Sequence, residues 1–371
     1  MNILVIGNGF DLAHGLPTMY SDYLHFITAF RKHIEGHSAE MATDYNAYFD
    51  SLKHNQPAIY KELQDMMSDN IWLNYFVSIL DQRIKLHKDG WIDFEGEMAS
   101  VIKDLDKARV LINSQLADGK DMAELPKYLR DRLRSIIGSA SEFSGMFILM
   151  RRNQLLECLD KLIRGLEIYL SGYIQTQYDK CHMLADIINI KPKCILSFNY
   201  TNTFEKVYNV DGNYDDVDYD FVHGRADLNH DVSQCNMVVG IDEYLGDKEK
   251  NEDNEFVQFK KFYQRIYKMT GAHYIDWIND YENYTKGLNN IPDLNIFIYG
   301  HSLDVTDKDI LRELILAENA KTTIYYHSKV ALGKQIANLV KVIGEEELIK
   351  RCRGTDPIIK FQETTKAYVG R

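Results

Sequence analysis

The chain has 371 residues, 45% of them hydrophobic and 12% aromatic, and a formal net charge of -12. That supplies apolar material for a large core in one elaborated domain or two, and the acidic balance disfavours nucleic acid as a partner. Its five cysteines are scattered and form no C-x-x-C pair, which argues against a zinc ribbon and a disulfide framework and makes the reduced cytoplasm the expected location.

The first seventeen residues, Met1 to Pro17, run as an apolar strand into Gly7-Asn8-Gly9 and then a helical pattern. Such a βα turn opens many doubly wound sheets, because glycines let the backbone approach a pyrophosphate at a helix N-terminus. The dehydrogenase fingerprint G-x-G-x-x-G would need its third glycine at Leu12, whereas the next glycine here is Gly15, followed by Leu16-Pro17. Gly7 and Asp11 interrupt the apolar run, so neither a signal peptide nor a membrane span is expected.

From Ser21 to Asn189 the pattern turns helical, with long stretches from Tyr60 to Leu86 and Arg151 to Ile188. In the second, Leu155, Leu156, Leu159, Leu162, Ile163, Leu166 and Tyr169 share one broad face. Strand-like segments then follow at Cys194 to Phe198, Asp220 to Val222, Met237 to Val239, Asn295 to Tyr299 and Thr322 to Tyr326. The expected fold is therefore α/β: a Rossmann-like parallel sheet, residues 1–20 and 190–371, with a large helical insertion, 21–189, after the first βα turn. The insertion's amphipathic faces leave both a homo-oligomer contact and an internal core open. Two acidic stretches, Asp211 to Asp220 and Gly246 to Glu255, read as exposed loops.

Four polar segments each follow an expected strand: Gly7 to Asp11, Ser197 to Asn202, His223 to Asp227 and Gly300 to Asp304. Ligands of open parallel sheets bind at the carboxyl ends of the strands, so these distant segments are expected to converge. The candidate nucleotide-binding residues are Gly7, Asn8, Gly9, Phe10, Asp11, His14, Gly224, Gly300, His301 and Ser302. Asn199 and His223 are the candidate catalytic pair. A histidine can act as a neutral base at cytoplasmic pH, and an asparagine has both a donor and an acceptor end. The alternative is structural: His223 caps a turn, Asn199 satisfies nearby backbone, and the glycine pair admits only neighbouring chain. His14 and His301 are equally open to a pocket or a structural role. Asp304, Asp307 and Asp309 precede a helical pattern and read as caps rather than cation ligands. Trp91, Asp93 and Glu95 read as packing and surface residues. No metal site is expected, since neither H-E-x-x-H nor a Walker lysine is present.

The run Gly7 to Thr18, with Trp91 to Glu95, Ser197 to Asn202 and Tyr299 to Asp304, resembles the AbiH family of bacteriophage abortive-infection proteins along most of the chain. More distantly, Gly7-x-Gly9 with Gly15-Leu16-Pro17, Asn199-Tyr200-Thr201, His223-Gly224 and Gly300 to Leu303 is similar in order to motifs of sirtuins and sirtuin-like antiphage NAD hydrolases. The resemblance implies an antiphage effector that binds NAD or a related nucleotide, hydrolyses it to nicotinamide and ADP-ribose, and responds to a phage-derived trigger. On that basis Asn199 would position the ribose or water, and His223 would contact a ribose hydroxyl or activate water. Ribose–nicotinamide cleavage passes through an oxocarbenium-like sugar and needs such groups. Two further readings remain: a nucleotide-binding sensor without turnover, and a nuclease-like effector, which the charge and the lack of a metal motif disfavour. Against the sirtuin pattern, Asp11 stands for a serine, Thr201 for the aspartate of N-Y-D, and Tyr20 for an arginine. No zinc module is encoded, so NAD cleavage is preferred to deacylation.

Overall fold

The computed structural model describes residues 1–37, 43–86, 92–117, 125–137, 145–209, 212, 214–246 and 249–365. Trp91, and Asp211, Asn213, Asp247 and Lys248 of the two acidic stretches, lie outside the described residues. The chain divides into two compact units, one formed by Met1–Thr18, Ile174–Arg225 and Met269–Arg371, the other by Met19–Tyr173 and Ala226–Lys268. Where the sequence draws a single insertion at 21–189, contacts group 174–189 with the sheet and 226–268 with the helices.

The first unit is built on six strands: β1 Asn2–Ile6, β2 Cys194–Ser197, β3 Asp218–Phe221, β4 Leu294–Tyr299, β5 Ala320–Tyr326 and β6 Ile359–Glu363. All pairings are parallel, in the order β3-β2-β1-β4-β5-β6, with Ile3 opposite both Cys194 and Ile296. This is the Rossmann order, which reverses direction between β1 and β4, the switch point beyond whose carboxyl ends such sheets bind ligands.

Both faces of the sheet are covered, which is why the central strands carry apolar residues toward both faces rather than alternating apolar with polar. One face carries Ile3, Val5, Leu196, Ile296, Ile298 and Ile324 against Trp277, Leu311, Leu314 and Leu339 of its helices. The other packs Leu4, Ile6 and Ile195 against Phe10, Ile187, Phe204 and Tyr208.

Several elements differ from expectation. Met237 to Val239 is buried but forms no strand. Side chains satisfy its carbonyls instead of a ladder: Gln264 Nε2 donates to Val239 O at 3.1 Å and Lys268 Nζ to Met237 O at 2.6 Å. β6 was not anticipated, because an edge strand whose only buried residue is Ile359 carries a weak apolar signal. The stretch from Tyr60 to Leu86 is two helices, Pro57–Met67 and Ile71–Lys85. Asp69 turns left-handed between them, and the Asn70 side chain caps the second by accepting from Leu73 N at 3.0 Å. The helix Gly145–Ile168 passes into a π turn at Tyr169–Tyr173 and a 3-10 segment at Ile174–Lys180.

In the second unit a buried ion network ties segments distant in sequence. Arg164 and Glu167 pair at 2.8 Å with essentially no exposure. Arg164 also donates to Glu62 and to the carbonyls of Asp227 and Leu228, while Glu167 meets His230 at 2.7 Å and accepts from Asp227 N at 3.1 Å.

Candidate functional site

The expected convergence occurs within the first unit, where the loops after β1, β2, β3 and β4 contact one another. Gly7 and Gly9 lie against the loop after β4: Gly7 N donates to Tyr299 O at 3.1 Å and Gly9 N to Gly300 O at 2.8 Å. A Cβ on Gly9 would stand 2.8 Å from Gly300 Cα, and one on Gly7 would stand 2.8 Å from His301 Cα. Gly300 itself has φ +69 and would bring a Cβ to 2.1 Å from Phe10 N. The glycines thus serve close approach of two strand-end loops, and the amides of Gly7 and Gly9 are spent on that contact. Asn8, exposed at the same turn, accepts from Thr18 Oγ1 at 2.7 Å.

On the side of the helix Asn8–Ala13 lies a buried carboxylate. Asp11 is 1% exposed; its Oδ2 accepts from Thr201 Oγ1 at 2.5 Å, and Thr203 Oγ1 donates to Thr201 Oγ1 at 3.2 Å. Its Oδ1 has no hydrogen-bond partner among the described residues. Burial pushes Asp11 up to about 6, and hydrogen bonding by Thr201, Thr203 and Asn199 offsets part of that rise. Asn199 Nδ2 donates to Gly7 O at 3.0 Å, which ties the loop after β2 to the loop after β1.

On the other side of Gly7 lies an acid held between two imidazoles. His223 Nε2 is 3.2 Å from Asp307 Oδ1, and His301 Nε2 is 3.5 Å from Asp307 Oδ2. All three residues are buried. The Phe198 ring packs edge-on against both, at 4.3 Å from the His301 ring and 5.7 Å from that of His223. His301 Nδ1 accepts from Leu303 N at 2.9 Å, a bond that the left-handed turn at Leu303 (φ 58) permits, so neutral His301 carries its proton on Nε2. Asp304 caps as expected, accepting from Thr306 N at 3.2 Å. Asp307 occupies an N-cap position but its side chain makes no cap bond. In sequence it reads as a cap; the signal for another role is an acid only six residues after His301, beside the helix start at Lys308.

His14 spends both ring nitrogens on the protein. Nδ1 donates to Phe10 O at 2.7 Å, and Nε2 accepts from Tyr208 OH at 2.8 Å, which itself accepts from Leu184 N at 2.8 Å. Burial lowers its pKa, which suits this neutral, doubly committed ring. Phe10 is fully buried in the same cluster. Gly224 is buried at φ +80, and Ser302 is exposed while its carbonyl accepts from Asn338.

A parallel sheet in this order, with polar loops meeting at its point of reversal, defines an α/β protein of Rossmann-like arrangement with substantial flanking helix. A family model described as "Bacteriophage abortive infection AbiH" matches residues 3–327. The chain belongs to that family, and its general role is that of an abortive-infection protein. No curated protein and no solved structure matches it. Among the described residues no group of three or more His, Cys, Asp or Glu side chains is placed to hold a metal ion, and no helix is long and apolar enough to cross a membrane.

Proposed function

We propose that this AbiH protein is an antiphage effector that, like sirtuin-like NAD hydrolases, takes NAD at the loops beyond β1 and β4 and hydrolyses it to nicotinamide and ADP-ribose. The observation that carries this reading is the meeting of four polar strand-end loops at the reversal point, with the buried imidazole of His223 braced by a carboxylate. In the reaction water adds to the ribose carbon as the nicotinamide bond breaks. His223 accepts the proton from that water or from a ribose hydroxyl, and Asn199 fixes the first loop through Gly7 so that the sugar is positioned. With the Gly7 and Gly9 amides committed, phosphate contact falls to the exposed side of the turn at Asn8 and to Ser302.

A second reading, a nucleotide sensor without turnover, draws on those same committed amides and on Asn199 bonding to backbone rather than pointing its amide at a ligand.

The test is incubation of purified protein with NAD, with and without infected-cell lysate as the source of a trigger, following nicotinamide and ADP-ribose. The Asn199→Ala, His223→Ala double variant is the control. Release by the parent, reduced on the order of 100-fold or more in the variant, supports hydrolysis. NAD binding by calorimetry without release assigns the sensor, and neither binding nor release rejects a nicotinamide nucleotide altogether.

A further inference from the structure

We infer that Asp307 is the positioning residue of this site: it holds the Nε2 proton of His223, so that Nδ1 is the atom that accepts a proton, and it braces His301 through its other oxygen. The inference rests on His223 being the proton acceptor, as proposed above.

Asp307 is buried, and a carboxylate withdrawn from water is costly unless charges or donors meet it. It sits at the start of the helix Lys308–Leu316, where an aspartate would ordinarily accept from backbone N–H, yet its side chain caps nothing there. Instead its two oxygens are divided between two imidazoles, Oδ1 at 3.2 Å from His223 Nε2 and Oδ2 at 3.5 Å from His301 Nε2. An ionised carboxylate only accepts, so each facing nitrogen must be the protonated one. For His301 an independent contact gives the same answer, since its Nδ1 accepts from Leu303 N. For neutral His223 the proton on Nε2 leaves the lone pair on Nδ1. Asp307 faces His223, and His301 faces it across that carboxylate; Phe198 supplies an apolar wall to both rings. An acid oriented in this way holds a base in its working tautomer and balances the imidazolium that forms when the base takes a proton.

Nitrogen-15 NMR of histidine-labelled full-length protein tests this without any ligand, the His223 signals being assigned by their loss in His223→Gln. The expected result is an Nε2–H tautomer for His223 in the unsubstituted protein, and a titration midpoint about one pH unit lower or more in Asp307→Asn, which keeps an acceptor but removes the charge. An Nδ1–H tautomer in the unsubstituted protein overturns the inference, as does an unchanged midpoint in folded Asp307→Asn. Should that variant not fold, the tautomer of the parent decides by itself. In the NAD assay, Asp307→Asn is expected to lower kcat on the order of 100-fold with KM within about twofold, and to shift the acid limb of the pH profile with the His223 midpoint. If the NMR results hold while neither protein releases nicotinamide, the NAD reading fails and the positioning role stands.

Discussion

Thr201 donates a 2.5 Å hydrogen bond to Asp11 across 190 residues of sequence. Asp11 lies in the helix after β1 and Thr201 in the loop after β2. One buried contact between hydroxyl and carboxylate therefore joins the two segments. The acid is turned into the protein, and part of its charge is met by hydroxyls.

That burial has a pH signature. Asp11 rises from 3.8 to about 6, so between those values the native state binds a proton that the unfolded chain does not. By linkage the stability this group contributes is greatest below about pH 4, falls as pH rises through 6, and then levels, a change of about 3 kcal/mol. Asp11→Asn should remove that slope. Urea unfolding at pH 5 and pH 8 measures it, and an identical slope in both proteins would refute the assignment.

Gly300 and Gly333 make a paired prediction. Gly300→Ala forces a left-handed alanine and sets its Cβ 2.1 Å from backbone N of Phe10, so a loss above about 3 kcal/mol is expected. Gly333 lies exposed in the helix Lys329–Ile343 with nothing within 4 Å of an added Cβ, and Gly333→Ala should stabilise by about 0.5–1 kcal/mol. Denaturant midpoints of the two variants should move in opposite directions.

Tyr208→Phe removes the hydroxyl shared by His14 Nε2 and Leu184 N. Leaving a buried donor and a buried acceptor unpaired should cost about 2–3 kcal/mol while nucleotide affinity stays unchanged. A drop in nucleotide affinity, at matched folding, would place His14 in the proposed nucleotide site.

Arg164→Met strands Glu167, which is fully buried, and should destabilise the second unit by about 3–5 kcal/mol. Hydrogen exchange of residues 226–231 is the sensitive readout, because Asp227 and Leu228 lose bonds to the arginine and His230 is held by Glu167. Unchanged protection there would show that the network does not hold the segment.

Local pattern by itself determined the apolar first strand with its glycine turn, most of the parallel sheet, the helical character of the region after it, and the short motifs that carry AbiH membership. These are legible because apolar runs, helical periodicity and glycine placement follow from the chemistry of neighbouring residues. The tertiary structure decided what adjacency in sequence cannot encode. It set the strand order, denied Met237 to Val239 a partner strand, and turned Gly7 and Gly9 toward Gly300. It gave His14 to Tyr208, and it carried Asp307 across 84 residues to His223. Which donor satisfies which buried acceptor depends on packing between segments far apart in the chain, where a buried group left unpaired costs more than any local preference can return.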